Sequence, residues 1–196
     1  MKQILLLSGF ASNKDTYLNL IFPNQISEKR LAYLPVNGSQ CPLKYQQEWQ
    51  EYAQQYGANF EFINDIKKDS RGEDQRLLSC NILVISGGNT FELLHNLRQS
   101  GLDQAIKQFA QQEEFVLAGF SAGAIVLTPS IKICRQPGFD PNLIGLSDLT
   151  GLGLVNFEIW PHYQDQQQSL LESYRQQTQY EVEIIKDGEW RIINNY

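Results

Sequence analysis

The sequence offers one serine in a setting that could make it a nucleophile, and only two histidines that could activate it. In Phe115-Val116-Leu117-Ala118-Gly119-Phe120-Ser121-Ala122-Gly123-Ala124 an apolar stretch runs into Gly-x-Ser-x-Gly and then into small residues able to open a helix. A nucleophile elbow needs that strand-turn-helix context, because the sharp turn strains its central residue and glycine on each side avoids collision. Such a turn would push the Ser121 hydroxyl out of a sheet. It would also aim the Ala122 N–H and the positive end of the helix at any oxyanion formed there. The plainer reading of the same pentapeptide is a glycine-rich turn whose serine caps a helix.

A second segment, Ser86-Gly87-Gly88-Asn89-Thr90, also ends an apolar run and precedes a helical pattern, so its amides would lie at the carboxyl edge of a parallel sheet, where ligands bind. Gly87 and Gly88 can bring backbone close to a substrate carbonyl and supply a further oxyanion donor. Taken alone, the Gly-Gly pair is an ordinary tight turn. A serine needs a base, and imidazole serves near neutral pH. His95 falls within the helix that follows Thr90, away from the sheet edge. His162, in Ile159-Trp160-Pro161-His162-Tyr163, follows a strand stopped by proline and is better placed to meet Ser121. The acid that would orient the imidazole is open by position among Asp140, Asp148, Glu158, Asp165, Asp187 and Glu189.

The elements that must hold these residues are legible as alternating patterns. Short apolar runs at 3–8, 30–36, 59–63, 81–86 and 114–118 read as strands buried on both faces. Between them, Tyr45, Trp49, Tyr52, Ala53 and Tyr56, and then Leu102, Ala105, Ile106, Phe109 and Ala110, repeat with helical period. Asn89 or Thr90 can cap a helix starting at Phe91, and Gly101 can close it. Alternating strands and helices imply right-handed crossovers and a parallel sheet. Near the end, Tyr180, Val182 and Ile184, then Asp187-Gly188, then 190–193, read as a β-hairpin. The expected fold class is thus α/β: one three-layer sandwich over residues 1–196, mostly parallel, with helices on both faces, a nucleophile elbow and a C-terminal hairpin.

Composition narrows the function classes. Sixteen Lys and Arg against 22 Asp and Glu give a net charge of −6, which repels nucleic acid and anionic lipid. Cys41, Cys80 and Cys134 are widely spaced with no Cys-x-x-Cys pair, so neither a disulfide framework nor a structural zinc site is indicated. The apolar run after Met1 is too short for a signal or spanning segment, which makes the cytoplasm the expected compartment.

Together these stretches resemble the serine peptidases of the dipeptidase E (aspartyl dipeptidase) and cyanophycinase type, which have a class I glutamine-amidotransferase-like fold. The matching residues are Gly87-Gly88-Asn89-Thr90-Phe91 with Leu93-Leu94, Ser100-Gly101-Leu102-Asp103 with Ala105-Ile106, Gly119 to Ala124 through Pro129-Ser130-Ile131, and Pro161-His162-Tyr163. The first seventy residues match only in rhythm. The resemblance implies Ser121 as nucleophile, His162 as its base, and Gly88 with Ala122 as oxyanion donors, Gly87 and Asn89 belonging to the same substrate site. It implies hydrolysis of a small peptide with no metal or cofactor. No nucleic acid or membrane partner is expected; a homodimer is admitted.

It favours Asp187 as the acid, since dipeptidase E carries an acidic residue followed by glycine in its C-terminal hairpin. Asp-Gly is equally a favoured hairpin turn, which would leave Asp187 a purely conformational role. Two departures stand out: the family's aspartate near Cys134-Arg135-Gln136 has no counterpart in register, and the basic stretch after His162 that helps hold a substrate aspartate is missing, leaving Arg175 as the only arginine before the hairpin. Two rival functions follow. One is a catalytically silent or regulatory module binding a small metabolite on the same fold. The other, a glutamine amidotransferase, is disfavoured because the elbow carries serine where those enzymes use cysteine.

Overall fold

The computed structural model describes residues 1–10, 13–66 and 72–194. A six-stranded sheet forms the middle layer, built from β1 (Lys2–Leu7), β2 (Arg30–Leu34), β3 (Asn59–Phe62), β4 (Ile82–Ile85), β5 (Phe115–Phe120) and β8 (Trp190–Asn194) in the order β3-β2-β4-β5-β1-β8. All neighbours are parallel except β8, which runs antiparallel to β1. Successive strand residues face opposite ways, and β1 shows the consequence: Ile4 and Leu6 join one core, Leu5 and Leu7 the other. An all-apolar strand is what a sheet covered on both faces demands.

One face is covered by α1 (Lys14–Ile21) and α2 (Leu43–Gln55), which bury Tyr17, Leu18, Ile21, Trp49, Tyr52 and Ala53. The other is covered by α3 (Glu73–Leu78), α4 (Thr90–Ser100), α5 (Leu102–Phe109) and the short α6 (Ala122–Val126). Asn89 is the residue that caps α4, its side chain accepting the Phe91 and Glu92 N–H groups at 3.0 and 3.2 Å. Gly101, at φ 79°, ends α4 and opens α5. This is the three-layer arrangement that the sequence pattern implies.

The C-terminal hairpin is where the structure departs from expectation. The turn at Lys186 to Glu189 forms, with Glu189 N–H donating to the Lys186 carbonyl at 2.9 Å, but the strands it joins do not pair with each other. β7 (Val182–Ile185) runs parallel to β6 (Glu158–Pro161) in a separate two-stranded sheet, whereas β8 takes the free edge of β1. β7 buries Val182 and Ile185 there, while β8, none of whose residues is fully buried, completes the edge of the main sheet. Val182 and Ile185 reach the first core together with Ile159, Trp160 and α7 (Gln168–Arg175), while Trp190 meets Tyr17 edge-on at 5.2 Å. The 186–189 turn therefore bridges two sheets, beside the ends of β1 and β6.

Candidate active site

Four segments bring their ends to one place: Ser8 follows β1, Ser121 follows β5, His162 follows β6, and Asp187 lies in the turn between β7 and β8. Parallel register explains the first two, because Leu7 aligns with Phe120 and the Ser121 N–H donates to the Leu7 carbonyl at 2.8 Å. Carboxyl ends of adjacent parallel strands share an edge. Alignment of Pro161 with Ile185 does the same for the other pair.

Ser121 stands at φ 49° and ψ −109°, a conformation that side chains adopt only under constraint. The flanking glycines are required by backbone rather than by the serine itself. A Cβ on Gly119 would lie 2.5 Å from the Gly123 carbonyl oxygen, and one on Gly123 would lie 2.3 Å from the Ile85 carbonyl oxygen. The elbow is thus wedged against β4. The helix behind it, α6, has only five residues, so its dipole is a smaller contributor than the sequence suggests, and the local amides matter more.

The Ser121 Oγ is 2.9 Å from Nε2 of His162, and Nδ1 of His162 is 2.6 Å from Oδ1 of Asp187. The carboxylate accepts a hydrogen bond from Nδ1–H, which leaves Nε2 as the acceptor for the serine hydroxyl. His162 itself sits at φ 55°, and the structure shows what holds it there: Ser8 Oγ accepts the His162 N–H at 2.7 Å and donates to Asp187 Oδ1 at 2.9 Å. Burial pushes the Asp187 carboxyl up, but the hydrogen bonds from His162 and Ser8, with the imidazole's charge, outweigh it and hold it below the ordinary aspartate value. A hydroxyl, an imidazole and an ionised carboxylate linked in this order can activate an oxygen nucleophile and stabilise the imidazolium that results.

The other acids considered from the sequence are occupied elsewhere. Glu158 is fully buried and accepts from Tyr174 and Thr178, Asp148 pairs with Arg98, Asp165 with Lys186, and Glu189 accepts the Lys186 N–H. Asp140 borders the site without touching the imidazole. His95 lies half-buried within α4, apart from these residues. Gly87 backs onto Ser121, its ideal Cβ position 3.3 Å from the serine Cβ. Gly88 stands at φ 145°, and Asn89 turns its carbonyl oxygen into the α4 cap and its amide to Pro141. Ser8 was the residue the sequence did not disclose. A Ser-Gly pair ending a buried first strand was its only signal, and that carries no motif.

Two cavities flank Ser121. One, about 360 Å³, is walled largely by aromatic rings; the other, about 640 Å³, is bordered by Gly88, Asn89, Thr90, Asp140, His162 and Gln167 among others. Among the described residues, no lysine or arginine lines either. Arg135 faces a separate cavity of about 590 Å³, and Arg175 donates to the Val182 carbonyl. Among the described residues no cluster of His, Cys, Asp or Glu could hold a metal ion.

A family model described as Peptidase family S51 matches residues 4–195. The chain belongs to peptidase family S51. This S51 member is a serine peptidase of the dipeptidase E type, and its relatives carry matching names. It is 32% identical over 165 residues to an uncharacterized peptidase of Pasteurella multocida, an overlap of 83% of this chain and 78% of the relative. It is 28% identical over 171 residues to a Peptidase E of Nostoc, covering 83% and 66% of the two chains. A Drosophila melanogaster protein named "Probable alpha-aspartyl dipeptidase" is 31% identical over 128 residues, 62% of this chain and 48% of that one. In fold, the S51 chain resembles a peptidase E-like crystal structure from Listeria monocytogenes, with a TM-score of 0.76, 24% identity and coverage of 100% and 96%.

Proposed function

We propose that this S51 peptidase is a cytoplasmic dipeptidase, a single glutamine-amidotransferase-like domain that cleaves short peptides through Ser121, His162 and Asp187. The observation that carries the reading is the pair of contacts made by one imidazole, 2.9 Å to the Ser121 hydroxyl and 2.6 Å to the Asp187 carboxylate. Ser121 Oγ attacks the scissile carbonyl as Nε2 of His162 takes its proton. The resulting imidazolium, steadied by Asp187, returns that proton to the leaving amine, and water then hydrolyses the acyl-enzyme with the same base. The Gly88 and Ala122 N–H groups are the oxyanion donors, for neither finds an acceptor among the described residues and Ala122 directly follows the nucleophile. Gly87 and Asn89 shape the substrate's approach.

The cytoplasmic assignment draws support from three free cysteines, as expected where thiols stay reduced, and no helix among the described residues is long and apolar enough to cross a membrane. Hydrolysis of a dipeptide panel, followed by release of free amino acids, tests the activity. Ser121→Ala should lower kcat by about a million-fold while the protein remains folded. Residual activity within tenfold of the original would overturn the nucleophile assignment.

A further inference from the structure

The 360 Å³ cavity beside Ser121 has a chemistry that names its occupant. Its walls include Phe10, Tyr33, Tyr45, Trp49, Phe120 and Val36, and it opens onto Gly87 and the Ser121 hydroxyl. Four of the rings form one packed array: Phe10 lies 4.8 Å from Phe120 and 6.0 Å from Trp49, and Trp49 stacks on Tyr33 at 5.5 Å. Among the described residues no Asp, Glu, Lys, Arg or His lines it, and burial pushes the Tyr33 hydroxyl and the Cys41 thiol further up from their ordinary values. Phe10 remains 42% exposed, a large apolar surface left for a ligand to cover.

We infer that this aromatic cavity is the specificity pocket for the acyl residue of the substrate, and that it selects a bulky apolar side chain, aromatic or branched aliphatic. The inference rests on the proposed Ser121 hydrolase and adds the substrate class. His162 decides which side of the scissile bond is meant. As the acid that protonates the leaving nitrogen, it must stand beside the leaving group, and it borders the other cavity rather than this one. The acyl residue, the N-terminal residue of a dipeptide, is thereby left to the aromatic side. A carboxylate or ammonium entering such walls would lose its hydration without gaining an opposite charge, whereas an apolar side chain gains burial.

The test compares kcat/KM for Phe-Ala, Leu-Ala, Ala-Ala, Asp-Ala, Lys-Ala and Ala-Phe, alongside fluorophosphonate labelling of Ser121. Phe-Ala and Leu-Ala should exceed Ala-Ala by about tenfold or more, since one well-buried methylene alone is worth roughly that much, with Asp-Ala and Lys-Ala below Ala-Ala. Cys41→Trp, which places a large ring at the cavity wall, should lower the Phe-Ala to Ala-Ala ratio by about tenfold, with retained labelling showing that the variant is folded. A flat profile, an Asp-Ala preference, selection expressed only in Ala-Phe, or an unchanged ratio in Cys41→Trp, with Ser121 labelled in each case, overturns the inference while sparing the hydrolase reading. Absence of both labelling and turnover in the unmodified protein overturns the hydrolase reading, and this inference falls with it.

Discussion

At the residue scale, the proposed chemistry turns on one imidazole, whose orientation four hydrogen bonds decide. His162 reaches Ser121 through Nε2 and Asp187 through Nδ1, while Ser8 ties both the His162 backbone and the Asp187 carboxylate to the end of β1. Replacing His162 by Ala or Gln should therefore depress kcat by roughly three orders of magnitude or more, whereas His95→Ala, half-buried on α4, should leave it nearly unchanged. Equal effects of the two would remove His162 from the mechanism. Asp187→Asn keeps the turn-forming character of the position but removes the charge facing the imidazolium, and kcat should fall about a hundredfold or more while the protein remains folded. Near-normal kcat would return Asp187 to a purely conformational role. Because the folded-state value of the Asp187 carboxyl is lowered, its contribution to stability is complete above the ordinary aspartate value and is lost as pH falls through the lowered one. Asp187 accordingly stays ionised between pH 5 and 8, and the rate should climb across that range, as general-base catalysis by a histidine requires; a flat profile would contradict a histidine base.

At the element scale, the site depends on how closely the β5 elbow is pressed against β4. Gly123→Ala forces a methyl group toward the Ile85 carbonyl, where an ideal Cβ lies 2.3 Å from the oxygen and neither partner is a flexible side chain. Such overpacking costs about 1–3 kcal/mol or more, so urea denaturation should show a clearly lower midpoint, and an unchanged midpoint would show that the elbow can yield. The strands of this elbow were readable in the sequence because burial on both faces leaves them uniformly apolar, as in Ile82 to Ile85 and Phe115 to Phe120. The hairpin departs from its sequence pattern for a physical reason. Local pattern and the Asp187-Gly188 turn specify that two strands meet a bend, but which edge each strand takes depends on vacancies elsewhere, here on β1 and β6. Ser8 is silent in the sequence for a similar reason, since its contacts exist only once β1, β6 and the 186–189 turn converge.

At the scale of the whole molecule, groups as far apart in sequence as Ser8 and Asp187 meet where the carboxyl ends of the main sheet and of the β6-β7 pair converge. The chain carries a net charge of −6, and neither cavity beside Ser121 is lined by a lysine or arginine among the described residues. Binding a buried carboxylate ordinarily calls for a guanidinium in bidentate reach. The ratio of kcat/KM for Asp-Leu to that for Ala-Leu should therefore stay below one, far from the hundredfold or so, about 2.7 kcal/mol, that a good charged contact would supply. A larger preference would require an arginine to move into the site from its present partners. Between a working hydrolase and a silent binding module on the same fold, covalent chemistry at Ser121 is the most direct arbiter. A fluorophosphonate reacts with an activated serine and spares an ordinary hydroxyl. Mass spectrometry of the treated protein should find the adduct on the peptide containing Ser121, and lose it in both Ser121→Ala and His162→Ala; an unlabelled Ser121, or labelling indifferent to His162, would contradict the assignment.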